Sequence, residues 1–197
     1  MIRRLLDIAV SATGLLLTAP VLLAAVIAIR IESRGGAIYR QRRAGKHGAQ
    51  FDVFKLRTMV DGAEHLGAGL AINANDSRIT RVGAVLRRTS LDELPNLLNV
   101  LRGEMSLIGP RPTLPVQVEQ YSRRQRRRLE VKPGITGWAQ VNGRASLRWA
   151  DRIELDLYYI EHRSLALDMK ILARTPAMVL GGRGLYKGQA GGWEGEL

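Results

Sequence analysis

The stretch that decides the reading is residues 87–112, RRTSLDELPNLLNVLRGEMSLIGPRP. Leu91, Leu94, Leu97, Leu98 and Leu101 recur in it at three- and four-residue spacing. That spacing predicts an amphipathic helix over residues 92–101, with a leucine stripe turned to a core. Ser90-Leu-Asp-Glu93 fits a capping box, Ser90 as N-cap and Glu93 at the third helical position. Pro95 draws the start toward Asp92, because proline is tolerated only in the first turn of a helix. Both placements put Asp92 at a helix N-terminus.

The Asp92–Glu93 pair has two readings. Acidic residues favour a first turn through the helix dipole, and nothing more need follow. The same pair also stands among Arg87, Arg88, Arg102 and Arg111. A carboxylate beside guanidinium groups is held ionised, and the planar fork of arginine matches phosphate oxygens. A carboxylate, cations for a polyphosphate and a seat for a divalent metal are the parts of a phosphoryl-transfer site. An aspartate can act there as a nucleophile, through an acyl phosphate. In Ile108-Gly-Pro-Arg-Pro112 the flanking prolines restrict Arg111, so its guanidinium is aimed with little freedom left to lose; an incidental arginine in a proline turn is the plain alternative.

The whole chain has 197 residues, enough for one domain with a real core. Its 30 Lys+Arg against 18 Asp+Glu give a net charge of +12, mostly from arginine, and such an excess draws polyanions: nucleic acid, anionic lipid or nucleotide phosphate. With no cysteine, disulfides, zinc–thiolate sites and thiol catalysis are excluded. Two Phe and three Trp argue against a base-stacking platform for nucleic acid.

Residues 8–29 carry no charge and are long enough to span a bilayer. A cleaved signal peptide is the other reading of Arg3-Arg4 followed by an apolar run, but the run exceeds the usual apolar region of about 7–15 residues. Basic residues stand on both sides, Arg3 and Arg4 before and Arg30, Arg34, Arg40, Arg42 and Arg43 after, whereas a spanning helix is normally basic on one side. Pro20 divides the run into arms of roughly 12 residues, about 18 Å each, too short to cross a core of about 30 Å. The expectation is a re-entrant helix–break–helix that enters and leaves by one face, with Thr18 or Ser11 bonding the carbonyl that proline frees.

Residues 37–40 and 51–56 read as strands of a hairpin around a polar loop. Lys55 and Arg57 alternate with apolar neighbours and face either solvent or a nucleotide. Residues 60–76 read as a surface segment near the site. The arginine run at 123–128 reads as a solvated helix face or as an anchor on anionic membrane lipids; no nucleic-acid fold signature accompanies it. Residues 132–138 form a second rigid turn, leading to Gln140, Asn142 and Arg144, whose amides and guanidinium suit a uracil or sugar edge and a phosphate. Trp149, Ile153, Leu157 and Ile160 predict a helix over 148–162, in which Asp156 is either a substrate-binding or proton-transfer group or an ordinary helix partner. Residues 164–180 predict a helix lying in the membrane surface, followed by a Gly-rich tail at 181–197. His47, His65 and His162 are isolated, with no metal spacing.

The run SLDELPNLLNVLRGEMSLIGPRP, then KPGITGWAQVNGR, then ELDLYYI closely resembles the bacterial monotopic phosphoglycosyl transferases, from Arg3 to about Leu180. The family usually has Ser-Pro at the break in its re-entrant helix, where this chain has Ala19-Pro20. The resemblance implies an α+β, mostly helical fold: an anchor at 1–34, a catalytic domain at 35–180 with a small β-hairpin, a catalytic helix and interfacial amphipathic helices, and the tail. It implies an enzyme on the cytoplasmic face of the bacterial inner membrane that uses Mg²⁺, a UDP-sugar and polyprenol phosphate (undecaprenyl phosphate). The sugar phosphate passes through an aspartyl intermediate with release of UMP, and downstream glycosyltransferases would take the product. By the same resemblance Asp92 and Glu93 are catalytic and hold the metal, while Lys55, Arg87, Arg88, Arg111, Gln140, Asn142, Arg144 and Asp156 bind substrate. The rival reading is a non-enzymatic basic protein on membranes or nucleic acid.

Overall fold

A computed structural model describes residues 2–66 and 76–181. Residues 67–75, within the expected surface segment, and the tail from residue 182 lie outside the described residues.

The apolar run becomes one helix, α1 (Ile2–Glu32), which continues across Pro20. Two separate helices meeting at Ala19-Pro20 are therefore not seen. Thr18 Oγ1 donates to the Gly14 carbonyl at 2.6 Å, not to that of Leu16, which proline leaves without its amide partner. Ser11 is fully buried with no partner for its hydroxyl among the described residues. By length and composition α1 is able to cross a membrane, and most of its large apolar side chains are exposed.

The expected hairpin forms, with β1 (Ile38–Ala44) antiparallel to β2 (Gln50–Leu56), Ile38 opposite Leu56 and Ala44 opposite Gln50, but β1 runs on through Ala44, four residues into the expected loop. It is the hub of the core because it contributes to all three hydrophobic clusters. Leu56 packs with Ala25 and Ile29 of α1 and with Leu86 of α2 (Arg81–Thr89). Phe51 and Val53 pack with Met105 and with Val100 of α3 (Asn96–Arg102). Ala44 packs with Val118, Tyr121, Ile153 and Leu157. The rest of the chain thus has a rigid floor on which to place loops.

A second pair of strands went unforeseen in the sequence. β3 (Ser106–Ile108) runs parallel to β4 (Gly134–Thr136), with Ser106 opposite Gly134 and Ile108 opposite Thr136. At Gly134 a Cβ would fall 2.1 Å from the Gly109 nitrogen, so the two backbones meet only because glycine stands there. This pairing puts a strand where a second turn was expected at 132–138, and sets it beside the Pro-Arg-Pro turn.

The arginine run is not one solvated helix. After the short α4 (Pro115–Glu119) it breaks into α5 (Arg123–Arg126) and a 3-10 turn at Arg127–Glu130, and Arg128 is buried. After the short α6 (Trp138–Val141), α7 (Trp149–Glu161) and α8 (Leu165–Gly181) lie within two residues of their expected bounds. Ile153 and Leu157 of α7 are buried as its periodicity requires. On α8, Leu165 and Met169 are exposed while Asp168 is buried, taking Arg3 Nε at 2.7 Å and the Tyr159 hydroxyl at 2.8 Å.

Candidate active site

Helix α2 starts with Thr80, whose hydroxyl accepts the Gly83 amide at 2.9 Å. Glu32, at the end of α1, reinforces the cap by accepting the amides of Arg81 and Val82. The helix ends at Ser90, a non-glycine residue with φ 56° in the left-handed region. That conformation reverses the chain into a 3-10 turn, Leu91–Glu93, and presents the two acidic side chains. The expected capping box is not formed: Ser90 caps nothing with its side chain, α3 begins only at Asn96 after Pro95, and Glu93 is engaged elsewhere. Of the leucine stripe, Leu97 is buried, while Leu98 is 38% exposed.

Glu93 reaches down to the hairpin and across to the Pro-Arg-Pro turn. Its Oε1 takes Lys55 Nζ at 3.1 Å and Arg111 Nη2 at 2.5 Å, and its Oε2 takes Arg111 Nη1 at 3.3 Å. Burial pushes the Glu93 carboxyl up, but Arg111 and Lys55 outweigh it and hold the group well below the usual carboxylate range. Asp92 beside it is half-buried. Burial, with the charge of Glu93 next, raises its pKa to about 6 against the opposing pull of Lys55, Arg87 and Arg111. The neighbouring carboxylates are thereby pushed apart: Glu93 is a fixed anion that organises cations, and Asp92 is more basic and makes no hydrogen bond within the described residues.

Arg87 donates to Thr58 Oγ1 at 3.1 Å and is one of the cations acting on Asp92, whereas Arg88 is exposed. Arg144, again in the left-handed region (φ 53°), points Nη2 at Ser90 Oγ, 3.4 Å away. Its Nη1 is buried without a partner among the described residues, and burial lowers its pKa while Glu93 and Asp92 oppose that shift. Gln140 is buried with both amide atoms unpartnered among those residues. Asn142 is spent locally, donating to the Trp138 carbonyl at 2.7 Å and accepting from Arg174 at 3.3 Å.

Two expectations change. Arg57 does not face a nucleotide: it is buried and ties down the segment just after α1, donating to Ser33 O and Ser33 Oγ at 3.0 Å each and to Arg34 O. Asp156, 1% exposed, is not brought to the Asp92 cluster; its Oδ2 takes Arg128 Nε at 2.6 Å. Sequence reasoning also missed Arg43, which reaches Gln41 and the Pro112 carbonyl. Burial, then repulsion from Arg111, lowers its pKa to about 10. A cavity of about 20 Å³, room for one water, lies between Arg43, Lys55, Glu93, Asn96 and Arg111. A wider groove along Arg123, Arg124, Arg126 and Arg127 is largely self-neutralised, with Arg124 paired to Glu154 and Arg127 to Glu161.

Among the described residues no three His, Cys, Asp or Glu side chains converge as a metal cage. Asp92 and Glu93 alone suit an ion that brings its own waters and phosphate ligands, as Mg²⁺ does. Five cations (Lys55, Arg43, Arg87, Arg111, Arg144) face two carboxylates here, an excess that fits a polyanionic substrate.

The bacterial sugar transferase family matches residues 1–182. The chain is 40% identical to the "Uncharacterized sugar transferase EpsL" of Bacillus subtilis, over 94% of this chain and 91% of that one. It is 44% identical to the "UDP-glucose:undecaprenyl-phosphate glucose-1-phosphate transferase" of Caulobacter vibrioides, over 90% and 69%. It is 38% identical to the "Exopolysaccharide production protein ExoY" of Rhizobium meliloti, over 94% and 88%.

Proposed function

The chain belongs to the bacterial sugar transferase family, and from that premise we propose that it moves a sugar 1-phosphate from a UDP-sugar to a polyprenol phosphate, the undecaprenyl phosphate named for its relatives. The observation that carries this reading is the placement of Asp92: basic for an aspartate, free of hydrogen bonds within the described residues, and set among cations that Glu93 holds in order.

In the proposed reaction a carboxylate oxygen of Asp92 attacks the β-phosphorus of the UDP-sugar. The bond from that phosphorus to the bridging oxygen breaks, and UMP leaves with the electron pair. A phosphate oxygen of the polyprenol phosphate then attacks the aspartyl-bound phosphorus, the acyl phosphate bond breaks, and the Asp92 carboxylate is restored. Lys55 and Arg111 meet the charge developing on the transferred phosphoryl group, and Arg87 and Arg144 flank it. Gln140, with its amide unpaired, supplies donor and acceptor atoms for an edge of the uracil or sugar. Mg²⁺, held by Asp92 and Glu93 with the diphosphate, would supply further neutralisation of the leaving phosphate.

The anchor is read as monotopic, with both ends of α1 on the cytoplasmic face of the inner membrane. Support comes from both ends of α1 bonding to one body: Arg4 donates to the carbonyls of Val100 and Leu101 and Asp7 accepts from Ser106 and Leu107, while Glu32 caps α2. A helix with its two ends on opposite faces of a bilayer would not hold one small body at both. The site would thus sit at the depth of a lipid phosphate.

The test is UMP release over a panel of UDP-sugars, with and without undecaprenyl phosphate and Mg²⁺, together with intact-mass detection of a sugar-phosphate adduct. Salt-sensitive lipid binding with no UMP from any donor would instead favour a non-enzymatic basic protein.

A further inference from the structure

Arg111 touches Glu93 with its side chain, while its backbone is held by a separate set of donors. Three successive carbonyls of the turn are each taken by a fixed donor: Arg111 O by Arg128 Nη2 at 2.9 Å, Pro112 O by Arg43 Nη1 at 3.3 Å, and Thr113 O by the Ala44 amide at 2.9 Å. Of the two arginines, Arg128 is locked. Its Nε donates to Asp156 Oδ2 at 2.6 Å and its Nη1 to the Tyr121 hydroxyl at 2.7 Å. Arg128 is 5% exposed, Tyr121 6% and Asp156 1%.

We propose that Arg128 is a positioning residue for the transfer reaction: Asp156 and Tyr121 fix its fork, and its third arm fixes the backbone from which Arg111 reaches the phosphoryl site. The inference rests on the reading of Arg111 as a phosphate-binding group. It gives Asp156 a role at a distance from the substrate and takes Arg128 out of the basic surface to which its neighbours belong. The geometry needs arginine. One planar group serves three acceptors in three directions, each N–H aimed by the plane, and a lysine ammonium of equal charge cannot span them. Because the proline-bracketed turn has few conformations of its own, a shift of its carbonyl carries over to the guanidinium of Arg111. A displacement of about 1 Å at a phosphoryl site is enough to cost on the order of a hundredfold in rate.

The experiment is a double-mutant cycle on the full chain in lipid nanodiscs, reading UMP release from whichever panel donor is turned over. Its variants are Arg128→Lys, Arg111→Ala and both together, with melting temperature followed in parallel. The expected result is a fall in kcat/KM of roughly tenfold to a hundredfold for Arg128→Lys. With Arg111 already removed, Arg128→Lys should cost little more, because the two act through one contact. Tyr121→Phe deletes a single hydrogen bond to Arg128 at nearly constant volume and serves if Arg128→Lys fails to fold. It should give a smaller loss that likewise vanishes in the Arg111→Ala background. Losses that multiply in the double variants overturn the proposal and leave the role of Arg111 intact. Near-normal turnover of Arg111→Ala alone overturns the underlying reading as well.

Discussion

Arg111 meets Glu93 through both terminal nitrogens, at 2.5 and 3.3 Å, and the same carboxylate holds Lys55. One anion, fixed from two directions, therefore sets the spacing of two cations beside Asp92. Removing it should disorder the cations and also change the titration of Asp92.

That second effect has a definite sign. Glu93 is among the causes that raise the Asp92 pKa to about 6, and its loss frees Lys55 and Arg111 to act on Asp92 alone. In metal-free Glu93→Gln protein, carboxyl-carbon NMR should put the Asp92 midpoint below that of the wild type. In wild type the carboxylate form is lost as pH falls through about 6, so adduct formation should decline over the same range. An unchanged or higher midpoint in the variant would contradict the arrangement.

Asp92→Asn keeps the shape of the turn and removes the attacking carboxylate. Turnover should fall by at least about four orders of magnitude, as for loss of a nucleophile, and no sugar-phosphate adduct should appear in its mass spectrum. EDTA should stop wild-type turnover, and added Mg²⁺ should restore it.

Gly83 sits where α2 crosses the end of the hairpin. A Cβ there would lie 2.0 Å from the Thr58 carbonyl oxygen, and Arg87, one turn further on, bonds the Thr58 hydroxyl. Gly83→Ala should destabilise the protein by about 1–3 kcal/mol through overpacking. It should also lower kcat/KM, since the helix that carries Arg87 has to move. Denaturant midpoints and UMP release measure the two effects.

Arg57→Ala leaves the Ser33 and Arg34 carbonyls, just past the end of α1, without their guanidinium. The loss of charge-assisted bonds at a buried side chain should cost on the order of 2–3 kcal/mol, read as a lower melting temperature in nanodiscs. Arg57→Lys should recover part of it.

The chain has no cysteine, so single-cysteine labelling tests the anchor directly. Ile2→Cys and Arg34→Cys, both at exposed positions, should react with an impermeant maleimide in inside-out vesicles and not in spheroplasts. Periplasmic labelling of residue 2 would sink the one-sided anchor.

Whatever depends on neighbours in sequence is legible in the sequence itself. The hairpin, α7 and α8 follow from alternation and 3.6-residue periodicity, the apolar leader from composition, and the Asp92–Glu93 pair and Arg111 from long motifs. At Ser90 the capping-box pattern misleads, because it does not reveal that the residue takes a left-handed conformation and that Glu93 has better partners 38 and 18 residues away. The parallel β3–β4 pair, the burial of Arg57 and the lodging of Arg128 between Asp156 and the Arg111 carbonyl were equally invisible. In a run of arginines every guanidinium looks alike in one dimension. Which one meets water and which a buried carboxylate is settled by contacts between segments far apart in the chain, where desolvation penalises every charge that finds no partner.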